Sequence, residues 1–204
     1  MSSTTMVNPA YVRTMAAYNA EMNRRLYDAA ARIPDTKRRE NRGAFWGSLH
    51  GTLVHLVWGD QMWMARFDAW PKPTTIQKDS AGMIEGFDDL RRTRVDADAK
   101  ISDWAGRVTD EWIAADQTWY SGSAQKELHM PRGLLVTHFF NHQTHHRGQA
   151  HAMLSGTTVA PPQLDEFFAA EAGHAVDLAR LGLQRAGDAG QHGVPGRMAQ
   201  ATEA

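Results

Sequence analysis

The sequence predicts an all-α protein: an up-and-down four-helix bundle with an additional C-terminal helix. Two observations lead there. Apolar residues recur every three or four positions over long stretches, and proline and glycine clusters cut the chain into five such stretches.

The first helix is expected from Pro9 to Arg32, with Pro9 in its first turn. Tyr11, Met15, Tyr18, Met22, Leu26 and Ala29 give it one apolar stripe. Pro34 and Asp35 break it, and a short helical piece is placed at Arg38–Arg42. The second helix is expected over Ala44–Phe67, with Phe45, Leu49, Leu53, Leu56, Trp63 and Phe67 as its core stripe, and Trp70-Pro-Lys-Pro73 closes it. Trp58, Met62 and Met64 read as core as well. The third helix is expected over Met83–Ala115, its pattern including Ile84, Phe87, Leu90, Val95, Ile101, Trp104, Val108 and Ile113, with a break near Asp96 and a solvated charged face. The stretch Gln117–Pro131 reads as a connector, with a short extended segment at Thr118–Ser121. The fourth helix spans Arg132–Ser155 and is capped by Gly156. Pro161-Pro162 separates it from a last helix at Leu164–Leu183. Residues 1–185 are thus expected to form one domain, and 186–204 a mobile tail rich in glycine and small residues.

At 204 residues the chain supports one core. A formal net charge of −1 gives no basic face for nucleic acid. No apolar run approaches the roughly 20 residues of a membrane span, and the N-terminus lacks the pattern of a secretory signal. The expected location is the cytoplasm. With no cysteine, disulfides, thiolate metal sites and a cysteine nucleophile are excluded, so any metal must be held by nitrogen and oxygen.

The chain carries ten histidines, and the informative run is His138-Phe-Phe-Asn-His142-Gln-Thr-His145-His146-Arg-Gly-Gln149. His138, His142 and His146 are spaced by four, a step that turns only about 40° around a helix, so they share a face. Two imidazoles one turn apart are a common helical source of two metal ligands. No glutamate follows His142, so the metalloprotease general base is missing. One helix seldom closes a coordination shell, and a third ligand is sought elsewhere. His55, in Leu53-Val-His55-Leu-Val-Trp-Gly-Asp60, is the best candidate, with His50 as its rival. Periodicity places His55 roughly 120° from the stripe of its helix, which argues against a deep position. His138 is assigned a supporting hydrogen bond, and His129, His174 and His192 the surface. Asp60 and Gln149 either orient a bound ligand or make interhelical hydrogen bonds; Arg147 is read as a surface or ion-pair residue that could receive an anionic substrate.

Three blocks carry a resemblance: Gly51-Thr-Leu-Val-His55-Leu-Val-Trp-Gly-Asp60-Gln-Met-Trp63, His138 through His151, and Pro161-Pro162-Gln-Leu-Asp165. Together they resemble the DinB-like (DNA-damage-inducible) family, which overlaps thiol-dependent S-transferase and mycothiol-dependent isomerase bundles. The resemblance implies a bundle, often dimeric, holding a divalent metal through His55, His142 and His146. Zinc or nickel is the expected ion, with iron or manganese as alternatives, since imidazole ligands suit zinc, copper, iron and nickel; a low-molecular-weight thiol is a candidate cofactor. Two functions follow. One is a metal-dependent enzyme, S-transferase or hydrolase in type, acting on a small molecule; the other is a non-catalytic metal-binding stress-response or sensing protein.

Overall fold

The computed structural model describes residues 6–122 and 124–162. The last helix expected at Leu164–Leu183, the tail, His174 and His192 lie outside the described residues.

The chain is mostly helical. Helix α1 covers Pro9–Ala31, with Asn8 capping it by accepting from the Tyr11 amide at 2.9 Å. A single turn, α2 (Asp35–Arg38), follows Pro34, slightly ahead of its expected place. Helix α3 is Leu49–Phe67 and starts later than expected. Ser48 caps it, accepting from the Gly51 amide at 3.0 Å, after a turn bridged between Ala44 and Gly47. Phe45, expected in the core stripe, therefore lies in the preceding loop and is 79% exposed, its ring set edge-on against Trp46. A 3-10 turn at Gln77–Gly82 precedes α4 (Phe87–Arg107), which continues through Asp96 without a break. Val95, expected to be apolar core, is 68% exposed, whereas Arg94 beside it is buried. After Val108 the chain leaves the helix, and Thr109 caps the short α5 (Asp110–Ala114). The connector is an antiparallel hairpin, β1 (Asp116–Ser121) on β2 (Lys126–Pro131), with Thr118 facing His129 and Trp119 facing Leu128. Helix α6 is Arg132–Ser155, as the sequence predicts, with Gly156 at its C-cap.

Helices α1, α3, α4 and α6 form the bundle. The α1–α4, α3–α6, α1–α6 and α3–α4 pairs pack against each other. Two apolar clusters fill its ends. One joins the end of α1 (Leu26, Tyr27, Ala30), the start of α3 (Leu49, Leu53, Val57), the start of α4 (Phe87, Leu90) and the end of α6 (Ala150, Leu154). The other joins Val12 and Ala16, Met64 and Phe67, Ile101 and Trp104, and Leu135 with Phe139. The helices consequently run up, down, down, up. Because α3 and α4 run in the same direction, residues 68–86 must return along the bundle between them. That return strand lies on α3 by way of the 3-10 turn.

Between the two clusters lies a buried polar band fed by all four helices. Asp60 of α3 accepts from Arg94 of α4 and from Gln143 of α6. Arg94 also donates to Asp98 at 2.7 Å, and Asn23 of α1 donates to the same carboxylate at 3.0 Å. Arg147 of α6 donates to Asn19 and lies near the Tyr18 ring. Arg147, read from the sequence as a surface or ion-pair residue, is 3% exposed and serves the interior. Burial works against the charge on Arg94, but the carboxylates of Asp98 and Asp60 outweigh it and hold the group above its ordinary value. Removing one member of a buried ion pair leaves an uncompensated charge. Arg94→Met is expected to lower the unfolding free energy by about 3–5 kcal/mol, read as a lower urea midpoint with an unchanged denaturant slope.

Candidate metal centre

From Leu49 to Asp60 every residue of α3 is buried, because α4 and α6 pack beside this stretch and the return strand crosses it. A one-sided stripe was the wrong guide to this helix, and His55, placed by periodicity away from the core, is 1% exposed. Helix α6 runs antiparallel to α3, so the two sequences pair in opposite order. His55 meets His146 with ring centroids 4.7 Å apart. One turn on, Gly59 meets His142, and a turn further Trp63 meets His138, centroids 5.0 Å apart.

The result is a three-histidine cluster. His55, His142 and His146 each present a ring nitrogen, and these atoms all lie within 4.8 Å of one another. Three nitrogens around one tetrahedral ion stand roughly 3.4 Å apart, a closure within reach of modest side-chain rotation. His142 owes its place to Gly59: a Cβ there would sit 2.7 Å from His142 Cε1.

Each of two rings has its other nitrogen engaged. His146 Nδ1 lies 2.8 Å from Gln149 Oε1, and since an amide oxygen only accepts, Nδ1 carries the proton and Nε2 keeps its lone pair. Gln149 is itself oriented by His145, 3.2 Å from its amide nitrogen. His55 Nδ1 lies 2.8 Å from the hydroxyl of Ser80, a fully buried residue of the return strand. The His55 ring is stacked 3.8 Å from Trp46, whose indole N–H is buried with no acceptor among the described residues. Such partners fix ring orientation and tautomer at metal-binding histidines.

The donor set is neutral. Burial first, then repulsion from His146 and His142, pushes His55 down from 6.5 to about 3. Burial, then His146, His138 and His145, pushes His142 to about 3 as well. His146 is lowered by burial against the opposing hydrogen bond from Gln149. Lone pairs are thus available well below neutral pH, as metal binding requires.

The other candidates fall elsewhere. His50 is buried, with Nε2 2.9 Å from the Ile84 carbonyl oxygen, and takes no part in the cluster. His138 is exposed, makes no hydrogen bond among the described residues and packs on Trp63; the supporting hydrogen bonds come from Ser80 and Gln149 instead. Asp60 belongs to the polar band. His129 is exposed, as expected, and bonds Asp116 at 2.7 Å. Ser80 and Trp46 were missed because their positions depend on how the return strand and the α3 entry loop pack, for which local periodicity holds no signal.

A ring held neutral when folded binds fewer protons than its unfolded counterpart between about pH 6.5 and 3, so stability is lost as pH falls through that window. Each such ring contributes up to about 1.4 kcal/mol per pH unit. Metal-free wild type is expected to lose urea stability between pH 7 and 4.5 more steeply than His142→Gln, as followed by circular dichroism at each pH.

The DinB family model matches residues 1–177. No curated protein and no solved structure matches the chain. With the match running through the four bundle helices and the histidine cluster they assemble, the chain belongs to the DinB family.

Proposed function

We propose that this chain is a divalent-metal-dependent enzyme whose ion is held by His55, His142 and His146. The observation that carries the reading is the convergence of three neutral imidazoles from two helices, two of them oriented by a second hydrogen bond. Three protein ligands are the usual complement of a catalytic site, whereas a structural site uses four. Zinc or nickel suits an all-imidazole set best, and iron or manganese are the alternatives. When bound, the ion supplies Lewis acidity, lowering the pKa of a coordinated thiol or water and polarising a carbonyl. The chain's own residues do the rest. Gln149 holds the His146 ring in the binding tautomer, Ser80 orients the His55 ring, Trp46 and Trp58 stack on the His55 ring, and Gly59 leaves room for His142.

The reaction class is transfer or hydrolysis at a small electrophile, with a thiol or water as nucleophile. A small-molecule thiol is the proposed co-substrate. The reading as a non-catalytic metal-binding or sensing module is less favoured because the cluster is not sealed: His142 is only partly buried and its neighbour His138 is exposed. No described helix is long and apolar enough to cross a membrane, and the net charge of −1 gives no basis for nucleic-acid binding. A cytoplasmic homodimer is part of the proposal.

Elemental analysis tests the centre. The purified protein is expected to carry about one zinc or nickel per chain, and His142→Ala to carry none while keeping its helical circular dichroism. Gly59→Ala is a sharper probe. The added methyl meets the movable end of a side chain rather than backbone, and alanine favours helix over glycine by about 1 kcal/mol. Thermal stability is therefore expected to hold while metal affinity drops at least tenfold in a chelator competition. A thiol-transfer screen with glutathione, mycothiol and bacillithiol on the metal-loaded protein then assigns the nucleophile.

A further inference from the structure

The α3–α6 seam does not end at the histidines. Beyond His55 opposite His146 and Gly59 opposite His142, it continues to Trp63 opposite His138 and then to Arg66. Along it the exposure rises, from buried His55 to part-buried His142, Trp63 and Arg66 and exposed His138, so the seam opens toward solvent in this direction. The Arg66 side chain folds back toward the histidines. Its Nη1 donates to the Met62 carbonyl at 3.0 Å, and its guanidinium carbon lies 4.7 Å from the centroid of Trp63 and 5.7 Å from that of Trp119 on β1. Trp63 and Trp119 are themselves 6.1 Å apart, edge to face. No carboxylate pairs with Arg66 among the described residues. It is a half-buried cation, pushed below its ordinary value by burial, with several donors unused.

We propose that Arg66, flanked by Trp63 and Trp119, is an anion subsite that receives a carboxylate of the molecule acted on at the histidine cluster. This rests on the enzymatic reading above and narrows its substrate class to small organic acids. A planar guanidinium held against aromatic faces is pre-set for bidentate carboxylate binding, and partial burial strengthens the pair. Gly59 and Arg66 are seven residues apart, about 10 Å of helix rise, and the backward fold of the side chain shortens that span. A chain of a few carbons between the reacting atom and the carboxylate fits the distance.

The test uses the full-length protein loaded with cobalt in place of its own metal. Mercaptopropionate and mercaptohexanoate are titrated against the corresponding uncharged mercapto-alcohols. The sulfur-to-cobalt absorption band reports binding at the metal, and tryptophan fluorescence reports occupancy beside Trp63 and Trp119. One of the acids is expected to bind at least tenfold more tightly than its alcohol. That preference should vanish in Arg66→Met, which keeps the apolar stem, and be reduced but not lost in Arg66→Lys, whose point charge cannot make the two-bonded contact. Equal affinity for acid and alcohol, or a preference that persists in Arg66→Met, overturns the subsite. Should the protein take up no cobalt, the metal reading fails on its own. The fluorescence titration of metal-free protein then decides for Arg66: acid-selective quenching lost in Arg66→Met upholds it, and unselective quenching overturns it.

Discussion

The buried contact between Asp60 and Arg94 is the constraint on which the arrangement of this molecule depends. A carboxylate and a guanidinium withdrawn from water must be paired with good geometry, because each alone would cost several kcal/mol. Here the pair also draws in Gln143, Asp98 and, through Asn23 and Arg147, the remaining helices. Apolar packing at either end of the bundle tolerates small slides of one helix past another, since oily contacts are non-directional. A hydrogen-bonded charge network does not. It sets the axial position and rotation of all four helices at mid-height.

The histidine cluster inherits that accuracy. Asp60 is the neighbour of Gly59, Gln143 of His142, and Arg147 of His146. Each group that the band fixes therefore carries a part of the cluster on the adjacent residue, turned about 100° around the same helix. The ordering of the inner band and the convergence of the outer rings are two faces of one register. A site that needs side chains held within a fraction of an ångström gains from being mounted on rigid helices in this way rather than on loops.

Much of this could be read from the chain, and the failures have definite causes. The fourth helix was legible end to end because proline and glycine mark its flanks and its histidines recur at four-residue spacing. The pairing of His142 with His146 follows from helical spacing alone. His55 was the leading third-ligand candidate with His50 as its rival, and resemblance chose between them where periodicity misled, since a helix buried on every side has no stripe to measure against. Arg94 and Asp98 lie in a helix whose charges read as one solvated face, and Arg147 read as a surface or ion-pair residue, because charged residues are usually exposed; only tertiary pairing decides otherwise, and pairing is not local. Phe45 and Val95 show the converse, apolar side chains left outside because capping by Ser48 and the rotation of α4 decide their place. The return strand that delivers Ser80 is a matter of topology, set by the direction in which α4 runs.

That topology bears on backbone electrostatics. In a bundle whose helices simply alternate, every neighbouring pair of macrodipoles is opposed and mutually favourable. An up-down-down-up order leaves α1 beside α6 and α3 beside α4 with their dipoles pointing the same way, so like partial charges crowd at each end of those contacts. Each of these two interfaces carries a buried side-chain bridge: Asp60 to Arg94 joins α3 to α4, and Arg147 to Asn19 joins α6 to α1. Buried charged groups thus tie together the helix pairs whose peptide backbones repel, as they also tie α1 to α4 through Asn23 and Asp98 and α3 to α6 through Asp60 and Gln143.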